Sequence, residues 1–165
     1  MLKLAVVSDT HLSSPDSLLV QQVENGFSHF DAVLHCGDFI NESVWSYLGQ
    51  SHADFHAVRG NMDSLNWSHF LPEKKIIAFE QVTAGILHGH DIDLWNRPQS
   101  LLEAFDEQVD LICFGHTHIR EWLQADNGVH VVNPGSFRLP KDGLKSYAAI
   151  EVNDNKDIHV QWHYI

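Results

Sequence analysis

The sequence predicts a layered α/β sandwich, in which two mixed β-sheets pack face to face and helices cover the outside in an α-β-β-α order. Two observations carry that expectation. Through the first two-thirds of the chain, short apolar runs alternate with segments of helical patterning, the alternation from which parallel sheets are built. In the last third, residues 128–133, 146–152 and 157–164 are apolar runs joined by turn signals (140–143 and 153–155), which read as hairpin-like connections without helices.

Taken in order, residues 4–7, 32–36, 55–58, 82–87 and 110–114 are β-branched or apolar runs that stop at Gly, Asp, Asn or His, the pattern of buried strands with polar exits. Helices are expected over 16–30, where Pro15-Asp16-Ser17 makes a start, over 41–49, and over 97–108 behind Pro98. No repeat, low-complexity tract or linker interrupts them, so residues 1–165 form one expected domain, long enough to bury about 70% of its unfolded surface.

The balance of 10 basic against 22 acidic residues, a formal charge of −12, argues against nucleic acid bound by a broad basic surface. A small phosphate ester is compatible with it, because divalent cations offset an acidic pocket. Thirteen His stand out, since imidazole is both a common metal ligand and a common acid–base group. Cys36 and Cys113 form no Cys-x-x-Cys pair and indicate neither a zinc knuckle nor a disulfide framework. The apolar start stops at Asp9, too short for a signal peptide or membrane span, so the expectation is a cytoplasmic protein with no membrane partner.

Chemistry concentrates at the strand exits, where layered α/β proteins collect ligands. The exits read Ser8-Asp9-Thr10-His11, Cys36-Gly37-Asp38, Arg59-Gly60-Asn61-Met62-Asp63, His88-Gly89-His90-Asp91, Gly115-His116-Thr117-His118 and Asn133-Pro134-Gly135-Ser136. Asp9 and His11 are two apart, so in an extended exit both leave one face as a carboxylate–imidazole pair, and His116 with His118 repeats the spacing. A lone Asp at the middle exit, Asp38, has two oxygens and can bridge two cations about 3.5–4 Å apart. Gly37, Gly60, Gly89 and Gly115 let the backbone turn and leave room for a phosphate. Singly, each has a plainer reading: Asp9 or Asp38 as a cap, Asn61 and Asn133 as turn residues. Caps do not call for imidazoles, however, and five such exits in one chain are not the product of capping alone.

The ordered set Asp9-x-His11, Gly37-Asp38, Gly60-Asn61, His88-Gly89-His90 and Gly115-His116-x-His118 resembles the calcineurin-like metallophosphoesterases, and most closely their small single-domain phosphodiesterase branch. The resemblance implies two divalent transition-metal ions. The first would be held by Asp9, His11, Asp38 and His118, the second by Asp38, Asn61, His88 and His116, with a hydroxide shared between the ions as nucleophile. It implies direct catalytic parts for Asp38, Asn61 and His88, and a small phosphate ester as substrate. Mixed nitrogen and oxygen ligands suit manganese first, then iron, zinc or nickel, over magnesium or calcium.

Many members of the family carry His after the motif Asn, where it protonates the leaving oxygen; here Met62 stands there and cannot. The small phosphodiesterase branch often lacks that His too. The alternatives are a phosphomonoesterase on the same centre and a binding scaffold resembling a retromer subunit, a relative that lacks one histidine ligand, whereas His11 and His118 are both present. Asp63 reads equally as an orienting residue behind a ligand or as a turn residue. His35 and His56 are expected to be structural, and His29, His52, His69, His130, His159 and His163 background. His90, on the face of His88 by alternation, is a candidate for substrate or ligand support. The turn at 133–136 is expected to back the site, with Arg138 at the surface. Segments 92–98 and 66–72 are the candidate specificity loops, and Trp67, Phe70 and Trp95 are candidates for pocket walls or for a partner surface, a second copy included.

Overall fold

The computed structural model describes residues 1–106 and 108–165, so the expected helix over 97–108 includes one position, Glu107, outside the described residues. In chain order the elements are β1 (Leu2–Val7), α1 (Ser17–Asn25), β2 (Ala32–His35), α2 (Glu42–Ser51), β3 (Phe55–Ala57), α3 (Leu65–Ser68), β4 (Lys74–Ala78), β5 (Thr83–Leu87), α4 (Gln99–Glu103), β6 (Leu111–Phe114), β7 (Arg120–Gln124), β8 (His130–Pro134), β9 (Ser146–Val152) and β10 (Ile158–Tyr164). Two five-stranded sheets result, ordered β10-β9-β1-β2-β3 and β4-β5-β6-β8-β7. Both are mixed as expected: β1-β2-β3 and β5-β6-β8 are parallel cores, and the remaining pairings are antiparallel.

Period-two alternation sorts the buried residues into layers. Leu4 and Val6 of β1, Leu111 and Cys113 of β6, and Ile86 of β5 meet between the sheets. Their neighbours Ala5 and Val7 turn outward to Leu19 and Val23 of α1 and Val44 and Leu48 of α2. On the other side Ile112 and Phe114 pack against Leu101 and Phe105. The Phe105 ring packs closely on the second sheet because Gly85 has no side chain there; a Cβ at Gly85 would sit 2.7 Å from the ring's far end.

Three expectations change. Helix α1 stops at Asn25, with Gly26 leading into a 3-10 turn at Phe27–His29, rather than running to Phe30. Helix α4 is five residues long. Strands β4 and β7, and the short α3, were not expected. Both strands are sheet edges that open with two adjacent charged residues (Lys74-Lys75, Arg120-Glu121), so neither offers the continuous apolar run that marks a central strand. The helix starts follow the reading: the Asp16 carboxylate caps α1 at Leu19 N (2.9 Å) and the Asn41 side chain caps α2. Asn41 takes the cap that Asp38 would otherwise have explained. No helix among the described residues is long and apolar enough to cross a membrane.

Candidate metal centre

The parallel strands of both sheets release their loops at one edge of the sandwich, where backbone bonds stitch the exits together. Asp9 N–H donates to Gly37 O, His11 N–H to Asp38 O, Gly115 N–H to His88 O and Phe137 N–H to Ser8 O, at 3.0–3.2 Å. His116 N–H reaches across to Asp9 Oδ2 (3.2 Å), and Ser136 Oγ–H holds the Asp9 carbonyl (2.9 Å). Residues up to 127 positions apart thus become neighbours.

Asp9, His11, Asp38 and His118 converge so that one ligand atom from each lies within 4.8 Å of all the others. Beside them His88 Nε2 is 3.3 Å from Asp38 Oδ2 and 3.1 Å from Asn61 Oδ1. The His116 ring centroid is 5.2 Å from that of His88. Asp38 faces both groups, with Oδ2 also 3.4 Å from His11 Nε2.

The route to this convergence corrects the alternation argument made from the sequence. Asp9, His11, Asp38, His116 and His118 do not leave in extended exits; all have left-handed backbones, with φ of 55°, 44°, 61°, 66° and 61°. Non-glycine residues adopt that region rarely and at a cost, and such conformations cluster at ligand sites where surrounding structure holds them. Room for phosphate is likewise not what Gly60 and Gly115 provide. A Cβ at Gly60 would collide with Oδ1 and N of Asp38, and one at Gly115 with Ser8 Oγ and Asp9 Oδ2. These glycines admit the carboxylates themselves.

The ring nitrogens carry the clearest chemical signal. His88 Nδ1 lies 2.7 Å from the Cys36 carbonyl and His118 Nδ1 2.7 Å from that of Leu139. A carbonyl only accepts, so each Nδ1 bears a proton, and in the neutral form each ring turns the Nε2 lone pair inward. There it meets more lone pairs: Asp38 and Asn61 oxygens for His88, and Asp9 Oδ1 at 3.0 Å for His118. That last contact is close but not aligned as a hydrogen bond, and Asp9 Oδ1 and His11 Nε2 are buried with no hydrogen-bond partner at all. Converging lone pairs without donors repel unless a proton or a cation lies among them. Divalent cations fit this donor set.

Electrostatics agree. Burial acts to raise the Asp9 carboxyl, yet the facing His11 and His118 imidazoles outweigh it and hold Asp9 well below the usual carboxylate range. Asp38 is lowered by His88 in the same way against burial. Reciprocally, His88 is raised by Asp38 and Asp9 although burial opposes it, and His118 is raised by Asp9. His116, without a carboxylate contact of this kind, is lowered by burial and by His88.

Neighbouring residues divide into supports and bystanders. Asp63 is a clamp: Oδ2 accepts from Asp38 N (2.9 Å) and Gly60 N (2.8 Å), Oδ1 from Ile40 N (2.8 Å). The turn at 133–136 does back the site, Asn133 Nδ2 donating to Gly115 O and Thr117 Oγ1. His35 is structural: its Nδ1 accepts from Gly37 N (3.1 Å), its Nε2 contacts Thr10 Oγ1, and its ring stacks on Phe39. His56 pairs with Asp54 at 2.8 Å while its Nδ1 has no partner. Arg138 pairs with Asp16 at the start of α1. Met62 is exposed, and its N–H donates to Asp38 Oδ1 (2.8 Å). His90 is exposed, its ring 6.3 Å from that of His116. Missed from the sequence was the left-handed Ile40 (φ 80°), which no local pattern marks; Ser136, in the turn expected to back the site, anchors Asp9 directly.

Paired mixed sheets with a carboxylate–imidazole cage at their shared strand exits define a metal-binding α/β class. The chain belongs to the calcineurin-like phosphoesterase superfamily, whose domain model matches residues 2–155. It is 33% identical over 152 residues to a probable metallophosphoesterase of Methanocaldococcus jannaschii, covering 92% of this chain and 76% of that one. Among solved structures it is similar to Entamoeba histolytica Vps29 complexed with zinc (TM-score 0.74, 20% identity, 99% of each chain). It is also similar to the phosphoesterase YfcE of E. coli (TM-score 0.70, 22% identity, 99% of this chain and 100% of that one). At those identities the two structures speak for the fold.

Proposed function

We propose that this chain is a metal-dependent hydrolase of phosphate esters, with phosphodiesters preferred, acting at a site for two divalent cations. The supporting observation is the set of buried carboxylate and Nε2 lone pairs that face one another without donors between them. Asp9, His11, Asp38 and His118 would hold one cation, and Asp38, Asn61, His88 and His116 the other, with manganese expected first and iron, zinc or nickel as alternatives. Bound cations would supply Lewis acidity to phosphoryl oxygens and lower the pKa of water.

The chain's own residues supply position. The Cys36 and Leu139 carbonyls lock two rings, and Asp63 holds the Asp38 and Gly60 loops in register. Methionine at 62 transfers no proton, and general-acid help is worth about 10²–10⁴-fold, which matters most for poor leaving groups. Aryl diesters should therefore be turned over faster than alkyl monoesters; the reverse order in steady-state rates would reject the diesterase preference in favour of a monoesterase. The test of class is reconstitution with each candidate metal followed by a phosphate-ester screen. Asp38→Asn should lose turnover and metal occupancy while remaining folded by circular dichroism, and full activity in that variant would remove Asp38 from the centre.

The likeness to Vps29 favours a second reading, a protein-binding scaffold. It predicts a pure protein without metal-stimulated hydrolysis, whatever its cation content, since that Vps29 is itself complexed with zinc. The convergence of Asp9, His11, Asp38 and His118 here weighs against it.

A further inference from the structure

We infer that a cavity of about 450 Å³ beside His116 receives a planar aromatic arm of a phosphodiester, with Trp95 as its stacking wall and Lys141 as its anion contact. The inference rests on the phosphodiesterase reading above. His90, His116 and Thr117 form the side of the cavity shared with the metal centre, so one arm of an ester held there has this space to enter. Ile92, Leu94, Trp95 and Ile119 give the cavity an apolar lining. Mostly apolar cavities of this size with a few polar groups are the usual form of small-molecule sites.

Trp95 is 98% exposed, although its segment is braced. Asp93 Oδ1 accepts the Trp95 N–H (3.1 Å), and the Asp93 carbonyl accepts from Ser100 Oγ (2.7 Å). Arg97 grips Glu121 through Nε and Nη2 and also donates to the Leu94 carbonyl. An indole normally contributes one of the largest apolar areas in a core or an interface. Here the fold makes no use of it, and it is presented at the mouth of a cavity one loop from the metal cage. A flat ring laid against it recovers that burial with offset-stacked geometry.

The cationic groups of the wall separate cleanly. Arg97 is occupied by Glu121, so its charge is not available to an anion. Lys141 is exposed, its backbone N–H is tied to the His118 carbonyl (3.0 Å), and it lines the same cavity as Trp95. It is therefore placed to meet a phosphate oxygen while Trp95 meets the ring.

Calorimetric titration of the manganese-loaded protein with diphenylphosphinate and dimethylphosphinate separates these contributions, since the two anions carry the same charge, have no ester bond to hydrolyse and differ in their rings. The expected result is diphenylphosphinate binding about tenfold tighter or more. Trp95→Ala should bring the two ligands to within about threefold, Trp95→Phe should retain most of the difference, and Lys141→Ala should weaken both alike. Equal affinities in the wild type, or a difference untouched by Trp95→Ala, overturns the proposal and leaves the Trp95 face to a protein partner. Ring-dependent binding in a protein that hydrolyses no ester would reject the phosphodiesterase reading and keep the aromatic subsite. Turnover of diesters with no ring dependence would do the opposite.

Discussion

His35 and His88 are both buried at strand exits of the same site, yet their rings are wired in opposite senses. Nδ1 of His88 faces a carbonyl, leaving Nε2 to the cage, whereas Nδ1 of His35 accepts an amide N–H and its ring carries no inward lone pair. Burial pushes the His35 imidazole down to about 3 from 6.5. Between those values the unfolded chain takes up a proton that the folded chain excludes, so stability is fully present above about 6.5 and falls as pH is lowered toward 3. His35→Asn keeps an acceptor for the Gly37 N–H and cannot titrate. In metal-free protein its unfolding free energy should vary less with pH across that window, by up to about 1.4 kcal/mol per pH unit, in urea titrations. Equal slopes for the two proteins would contradict this account. The sequence distinguishes these two residues only in that His88 opens the His-Gly-His motif; which nitrogen is free depends on a carbonyl 52 positions away.

Between elements, the decisive residue is Asp63, whose carboxylate accepts three backbone N–H groups from the exits of β2 and β3. Burial raises its carboxyl, with the Gly60 and Ile40 N–H groups acting in the opposite direction. Removing it orphans donors that are costly to leave unpaired, so Asp63→Ala should destabilise the domain by about 3 kcal/mol or more in chemical denaturation. It should also weaken metal binding, because the left-handed turns at Asp38 and Ile40 lose their brace. Unchanged metal affinity in a folded Asp63→Ala protein would make Asp63 a turn residue only. Both sequence readings of this position were partial, since an acid following a turn carries no mark of which amides it will meet. The same holds for β4 and β7. Central strands were legible through continuous apolar runs, while these edge strands are specified by their partners β5 and β8.

For the molecule as a whole, the candidate centre is where the two sheets are joined by charge. Asp9 and Asp38 come from the first sheet, His88 and His118 from the second, and their contacts cross between them. A cation bound in this cage would tie the sheets together and offset the strained backbone around it. Adding manganese at about a hundred times its dissociation constant should stabilise the fold by about 2.7 kcal/mol. For a domain of this size that is a rise of roughly 5–10 °C in Tm by calorimetry. Chelation should reverse the shift and Asp38→Asn should abolish it; a Tm indifferent to metal would mean that the lone pairs are reconciled by protons instead.

The sequence by itself determined the layer order and which polar side chains stand at the strand exits, because apolar periodicity and the chemistry of those side chains are local properties. Tertiary structure alone decided how those residues meet: left-handed turns in place of extended ones, the free ring nitrogen of each histidine, the Asp63 clamp, and the cavity under Trp95. Each of these depends on backbone groups far away in the chain, and a residue's own neighbours carry no record of the partners that folding will bring.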